Sequence, residues 1–354
     1  MSKPRKLRSR KAGLPPGSLV HIGEVKVSAP SYSIIDYDEY GLSEEKFADA
    51  NSFGLLPRKF ATRWANVYGA KSPADLAAVG TTFSLHPLVQ EDILNNAQRQ
   101  KIDAYDDYLY LVLHRYELTP GPLELSQDQI SLVIGRNYVL SFQERQSKTF
   151  EPVRQRLRAE HASLRKGGVD TLAYSLIDSV VDSYFGVIEQ LNEYAEELET
   201  DILGKPTPVT LERIHQFKRC VSQLRRNLHP LREVLGSLHR DAGDFFRPDI
   251  QIYLRDVYDH TVHILESLED LRDQATGLLD VYLSTISHRV NLEVRTLTVV
   301  ATIFMPATLI AGIFGMNFHE MPWLGLANGF NYALSLMGLI GVIMLILFWR
   351  RRFV

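Results

Sequence analysis

The chain has 354 residues, a formal net charge of −3 and a single cysteine, Cys220. At roughly 150 residues per domain, that length predicts two or three folding units. The charge balance gives no basis for nucleic-acid binding, and one cysteine excludes an intrachain disulfide framework and any cysteine-based zinc or iron–sulfur site.

The average composition hides a division. Residues 296–349 carry one charge, Glu320, so 80 of the 81 charged residues lie among the other 300. Residues 1–16 read as a basic tail, with six Lys/Arg among the first twelve and no apolar run, which predicts no signal peptide. Residues 17–150 read as a mixed α/β domain. Ser72-Pro73-Ala74-Asp75 offers an N-cap, a first-turn proline and an acidic residue, and Pro87 opens a second helix. Tyr108 to Leu118 is rich in aromatic and branched residues and predicts a strand. Ile130 to Ile134 and Tyr138 to Phe142 flank Gly135-Arg136-Asn137 and predict a hairpin.

Beyond residue 150 the period changes. Within 151–247, Ile177, Val181, Tyr184, Ile188, Leu191, Ala195, Leu198 and Ile202 recur at alternating steps of four and three, the spacing of a long helix packed lengthwise on another. Gly204 and Pro206 stop it, and Thr207-Pro208 starts an antiparallel partner through Arg240. Residues 248–318 form the next segment, with Ile264, Leu268, Leu271, Ala275, Leu278 and Tyr282 in the same stepping and no proline before Pro306. Residues 250–317 therefore read as one helix, roughly 100 Å long at 1.5 Å per residue. A helix of that length with one apolar seam suits a bundle of identical neighbours.

The C-terminal part of that helix is apolar enough for a bilayer. Thr296 to Phe318 contains no charge and just exceeds the roughly 30 Å of a hydrocarbon core. Residues 319–331 read as a short external loop. Tyr332 to Trp349 follows as a second span, ended by Arg350, Arg351 and Arg352 in the basic stretch 350–354. Two spans return the chain to its starting side, and the Lys/Arg at both ends place both termini in the cytoplasm.

One stripe of the first span differs from the rest. Asn291, Thr298, Met305 and Gly312 fall at steps of seven, with Val294, Ala301 and Thr308 between them. Small residues let membrane helices pack closely. The same stripe also suits the lining of a water-filled path, with polar rings at Asn291 and Thr298 and an apolar constriction near Met305. A plain membrane anchor, or a coiled sensor or scaffold, requires no such stripe.

The first span ends in Gly315-Met316-Asn317, followed by a short loop and a final helix. In that place the triplet resembles the hallmark of the CorA family of divalent-cation transporters. The resemblance extends through Ala301-Thr302-Ile303-Phe304-Met305-Pro306 and back to His86-Pro87-Leu88-Val89, Glu91-Asp92-Ile93-Leu94-Asn95, Tyr174-Ser175-Leu176-Ile177-Asp178 and Tyr253-Leu254-Arg255-Asp256-Val257-Tyr258-Asp259-His260. It covers most of the chain.

The resemblance implies an α+β cytoplasmic domain followed by long helices and two transmembrane helices, assembled as a funnel-shaped homopentamer in a bacterial inner membrane. It implies Gly315, Met316 and Asn317 as the selectivity filter, and Leu297 as a gate residue beside Met305. It also implies Glu91, Asp92, Asp178 and Asp256 as regulatory ligands for Mg²⁺ between subunits. The implied activity is uptake of Mg²⁺ and Co²⁺, with Ni²⁺ as a further ion, driven by membrane potential and closed by cytoplasmic Mg²⁺. Mg²⁺ is then cargo and regulator, and no other cofactor is expected. A zinc transporter of the ZntB type shares the architecture and is the alternative. One departure is visible: Met321-Pro322 is followed by Trp323 where many members carry an acid, leaving Glu320 as the only carboxylate of the loop. No nucleophile–base constellation and no phosphate-binding glycine loop stands out, so no enzyme is expected. His260 and His263, with Asp256 and Asp259 nearby, have a spacing that could ligate a metal but read as structural residues of a packed helix, and the six carboxylates from Glu189 to Asp201 read as a solvated hairpin tip.

Overall fold

The computed structural model describes residues 13–22, 30–70, 72–96, 98–119, 123–159, 163–241, 243–316, 321, 323 and 325–351, the side chains of 54, 55 and 241 excepted. They fall into two compact units, one of residues 1–198 with 212–276 and one of 199–211 with 277–354.

The first unit is built on a seven-stranded sheet. In chain order its strands are β1 (Ser31–Tyr37), β2 (Leu42–Phe47), β3 (Thr62–Tyr68), β4 (Lys101–Ala104), β5 (Tyr108–Thr119), β6 (Glu124–Gly135) and β7 (Tyr138–Gln143). The spatial order is β2-β1-β3-β7-β6-β5-β4, and β3–β7 is the parallel pair among otherwise antiparallel neighbours. The predicted strand at Tyr108 and the predicted hairpin are both present. β6 starts six residues before Ile130, because β5 and β6 pair along their whole length, from Tyr108 opposite Gly135 to Thr119 opposite Glu124.

Both sheet faces are covered. On one lie α1 (Ala50–Leu55), α2 (Pro73–Thr82) and α3 (Pro87–Ile93), whose Leu76, Val79, Val89 and Ile93 join Tyr32, Val67, Tyr110, Val133 and Phe142 in a single core. Local chemistry sets these helices. The Ser72 hydroxyl accepts from the Asp75 amide at 3.3 Å, and His86 caps α3 through its ring nitrogen. On the other face, Trp64 meets Phe150, the residue that caps α4 (Glu151–Arg158), at 5.9 Å between ring centroids, edge to face. The short α5 (Ser163–Lys166) leads to α6 (Val169–Gly204), where the buried Tyr184 hydroxyl donates to the His114 carbonyl of β5.

Two further helices complete the chain's long-helix part: α7 (Pro208–Asp241) and α8 (Pro248–Phe314). Each seam residue of α6, from Ile177 to Ile202 in the stepping above, is buried, as are Ile264, Leu268, Leu271, Ala275, Leu278 and Tyr282 of α8. Asp170 ties the start of α6 to the start of α8, accepting from the Arg247 amide at 3.2 Å and from its Nε at 2.8 Å. Burial raises the Asp170 carboxyl, but the Arg247 bonds outweigh it and hold the group below its ordinary value.

In the second unit, the remainder of α8 and α9 (Gly329–Arg350) are each long and apolar enough to cross a membrane, and little of either span is buried. α9 begins three residues before Tyr332. Asn317 and Glu320 lie outside the described residues.

Candidate functional site: a striped membrane helix and an acidic pocket

The membrane part of α8 has two unlike faces. Asn291, Val294, Thr298, Ala301, Met305, Thr308 and Gly312 are all exposed. On the opposite side Val299 is buried, at 7% exposure, and Ile303, Ile310 and Phe314 are half-buried. Leu297 and Met305, the expected gate residues, are 70% and 69% exposed. Those buried and half-buried large residues are apolar, and the stripe lies within a wider open surface that also carries Val300, Phe304, Leu309 and Ile313.

The threonine hydroxyls of this stretch, two on the stripe and Thr302 beside it, are arranged in one way. Thr298 donates to the Val294 carbonyl at 2.8 Å, Thr302 to Thr298 at 2.7 Å, and Thr308 to Phe304 at 2.9 Å. Each hydroxyl proton is thus spent on the preceding turn, which leaves oxygen lone pairs directed outward as acceptors. Pro306 has no amide hydrogen, so it cannot donate to the Thr302 carbonyl and adds a further acceptor at this level. Acceptors without formal charge suit a hydrated cation better than a carboxylate, which would retain it. At the helix end, the Gly315 amide donates to the Ala311 carbonyl at 2.9 Å and the Met316 amide to the Ile313 carbonyl at 3.2 Å.

A separate group of ligating side chains sits in the first unit. Asp178 and Asp182 of α6 and His260 of α8 each offer a ligand atom, and the three lie within 4.8 Å of one another. Asp256 reaches the same place, with its Oδ2 3.7 Å from His260 Nε2. Two i, i+4 pairs, one on each of two packed helices, bring four ligand side chains together. Burial, and then repulsion from Asp182, push the Asp178 carboxyl up to about 6; His260 and Arg156 pull it down, and Asp256 adds to the rise. Tyr174 is raised to about 12 by burial and by the charges of Asp178 and Asp256. The Asp178 carboxyl therefore resists ionisation, a cost that a bound cation would offset.

The two other expected ligands are engaged elsewhere. Asp92 pairs with Lys101 Nζ at 2.7 Å, and Glu91 accepts from the Gly17 amide. Lys101 also holds Asp103, so it keeps a carboxylate partner if a cation displaces it from Asp92. The chain thus brings Asp178 and Asp256 together and keeps Glu91 and Asp92 on α3. Asp182 was absent from the sequence expectation and His260 was read there as structural. Their signal was the repeated i, i+4 spacing with Asp178 and Asp256, which acquires meaning once α6 and α8 are packed.

Asp178 supports a stability prediction with a definite sign. Its carboxyl titrates near 6 in the folded chain against an ordinary value of 3.8. Ionising it therefore costs stability fully above about pH 6, and the cost disappears below about pH 4. Asp178→Asn should raise the metal-free melting temperature near pH 7.5 and leave it unchanged near pH 4. The variant should also lose most of the stabilisation that Mg²⁺ gives the parent. Equal melting of parent and variant at both pH values would contradict the strained carboxylate.

Comparison with known proteins shows the family and the fold. The family model described as CorA-like Mg²⁺ transporter protein matches residues 61–352. The chain is 41% identical over 348 residues to the cobalt/magnesium transport protein CorA of Thermotoga maritima, covering 97% of this chain and 98% of that one. It is 32% identical over 285 residues to the putative metal ion transporter YfjQ of Bacillus subtilis, covering 80% and 88% respectively. Its fold matches the complete CorA magnesium transporter structure from Methanocaldococcus jannaschii with a TM-score of 0.74 at 20% identity, covering 92% of this chain and 98% of that one.

Proposed function

The chain belongs to the CorA-like Mg²⁺ transporter family, and from that premise we propose that it is a channel for uptake of Mg²⁺ and Co²⁺, closed from the cytoplasmic side by Mg²⁺. The observation that carries this reading is the stripe Asn291, Thr298, Met305 and Gly312, at steps of seven along α8 and exposed throughout. Identical copies, five by family resemblance, turn these stripes toward a common axis in an inner membrane, with both termini cytoplasmic. Thr298 and Asn291 then supply rings of uncharged acceptors, Leu297 and Met305 the narrow apolar level, and Gly315-Met316-Asn317 the outer filter. Mg²⁺ parts with its water reluctantly, so such rings act through the hydration shell. Two charges crossing about 100 mV gain about 4.6 kcal/mol, enough to drive uptake without a chemical energy source.

Closure follows from linkage. A cation bound among Asp178, Asp182, Asp256 and His260, or bridging Asp92 of one subunit and Asp256 of its neighbour, offsets repulsion and favours the state in which these groups are close. Loss of internal Mg²⁺ restores the repulsion and loosens the assembly.

Purified protein in liposomes should take up Mg²⁺ and Co²⁺, faster with the interior negative, and take up Zn²⁺ much more slowly. Preference for Zn²⁺, or no uptake by an assembled protein, would overturn the assignment. For the regulatory half, the double substitution Asp92→Asn with Asp256→Asn should remove most of the Mg²⁺-dependent protection of the soluble part against protease. It should also leave conduction at Mg²⁺ levels that silence the parent, a coupling of about 1–3 kcal/mol. Unchanged protection and unchanged inhibition would make these two aspartates ordinary surface charges.

A further inference from the structure

The first unit contains a second polar cavity that transport does not use. It lies between α7 and the β4–β5–β6 edge of the sheet and has a volume of about 790 Å³, within the range of roughly 300–1,000 Å³ usual for small-molecule sites. Arg225, Arg226, His229 and Pro230 line it from one face of α7, and Arg99 lines it from the segment leading into β4. None of the described lining residues is acidic. Arg225 has a carboxylate partner, Glu269 on α8, at 2.5 Å. No carboxylate among the described residues pairs with Arg99 or Arg226.

The interior of the cavity has the opposite polarity. Gln100 is 4% exposed and donates its Nε2 to the Asn227 carbonyl at 2.9 Å, while its Oε1 accepts no hydrogen bond from the described residues. Buried amide oxygens are rarely left so, because water is lost without replacement. Pro230 cannot donate to the Arg226 carbonyl one turn earlier, which leaves another acceptor at the cavity wall. Cations at the rim and unmet acceptors inside call for a ligand that is anionic at one end and carries N–H or O–H donors at the other. The planar forks of Arg99 and Arg226 match phosphate oxygens two at a time, with Arg225 joining them on release from Glu269, and a cavity of about 790 Å³ has room for more than one phosphate.

We propose that this cavity binds a small-molecule polyphosphate, its phosphates held by Arg99, Arg225 and Arg226. Binding alone is inferred, with no reaction of the ligand. The shared chemistry belongs to inorganic polyphosphate and to nucleoside polyphosphates, and the acceptor of Gln100 favours the second through a ribose hydroxyl or base amine.

The test is calorimetric titration of the full-length, metal-stripped protein in detergent at low salt, with ATP and with inorganic tripolyphosphate. Saturable binding of at least one of them is expected. Arg99→Glu and Arg226→Glu should each weaken it at least tenfold, whereas Arg240→Glu, a charge reversal on the same helix away from the cavity, should change it little. Both reversals are at exposed positions, and size exclusion verifies that each variant still assembles. Tighter binding of ATP identifies a nucleoside polyphosphate as the ligand, and equal binding identifies the inorganic anion. No binding at millimolar ligand, or equal weakening by all three reversals, would overturn the proposal.

Discussion

Replacing Asn317 by alanine is expected to abolish Mg²⁺ uptake while leaving the assembled protein intact. α8 ends at Phe314, and Gly315-Met316-Asn317 follows directly. Of the last four carbonyls of α8, those of Ala311 and Ile313 accept from the Gly315 and Met316 amides, and the aligned peptide dipoles leave partial negative charge at that end. In the proposed assembly, several identical helix ends around one axis would attract a cation before any side chain contributes. The Asn317 amide would there add an acceptor for the ion's water at each copy. One such bond contributes about 1 kcal/mol, and the effect is multiplied by the number of copies in the ring. Alanine removes all of them together and leaves the dipoles, so attraction remains while selection and passage fail. Mg²⁺ uptake into liposomes and size exclusion on the same preparation decide the matter. Normal uptake by a correctly assembled variant would remove the triplet from the filter.

The second large effect is expected at the constriction. Leu297 and Met305 are among the most exposed large apolar side chains of α8. In an assembly these groups must face lipid, a neighbour or one another across the axis. A narrow apolar ring excludes water and blocks an ion that cannot shed its shell. Met305→Ala widens such a ring, and so does Leu297→Gly, which also costs the helix about 1 kcal/mol. Each loss of about 1.4 kcal/mol from the barrier raises leak tenfold, so an increase of an order of magnitude or more is expected at Mg²⁺ levels that close the parent. Leak measured on reconstituted protein gives the answer. Two variants as tightly closed as the parent would place the barrier at another level of the helix.

Much of the architecture was legible because its signal is local. The apolar runs near the C-terminus, the four-three stepping of Ile177 through Ile202 and that of Ile264 through Tyr282 each depend on one helix and one period. Such periods survive without knowledge of the partner, since burial of a stripe is the same requirement whatever covers it. Helix starts at Ser72-Pro73 and Pro87 were equally local, because a cap satisfies the amides next to it.

β1 and β3 were not legible, and the reason is physical. β3 contains Arg63 and Asn66, both buried, which interrupt any apolar alternation. They are tolerated because Asp36 of β1 receives Arg63 at 2.7 and 2.8 Å, and Ser141 and Gln143 of β7 both donate to Asn66. Those partners come from strands that only the sheet places alongside, one of them through a parallel pairing across 75 residues.

The functional groups divide in the same way. The sequence by itself determined the membrane spans, the stripe Asn291, Thr298, Met305 and Gly312, and the family carried by Gly315-Met316-Asn317. Its periodicity is intrinsic to one helix and needs no neighbour to be read. The tertiary structure alone decided that the stripe is exposed, that Asp92 is already paired with Lys101, and that Asp182 and His260 stand with Asp178 and Asp256. Ligand sets and charge partners depend on distances between segments remote in sequence, and those distances exist only after α6, α8 and the sheet have packed.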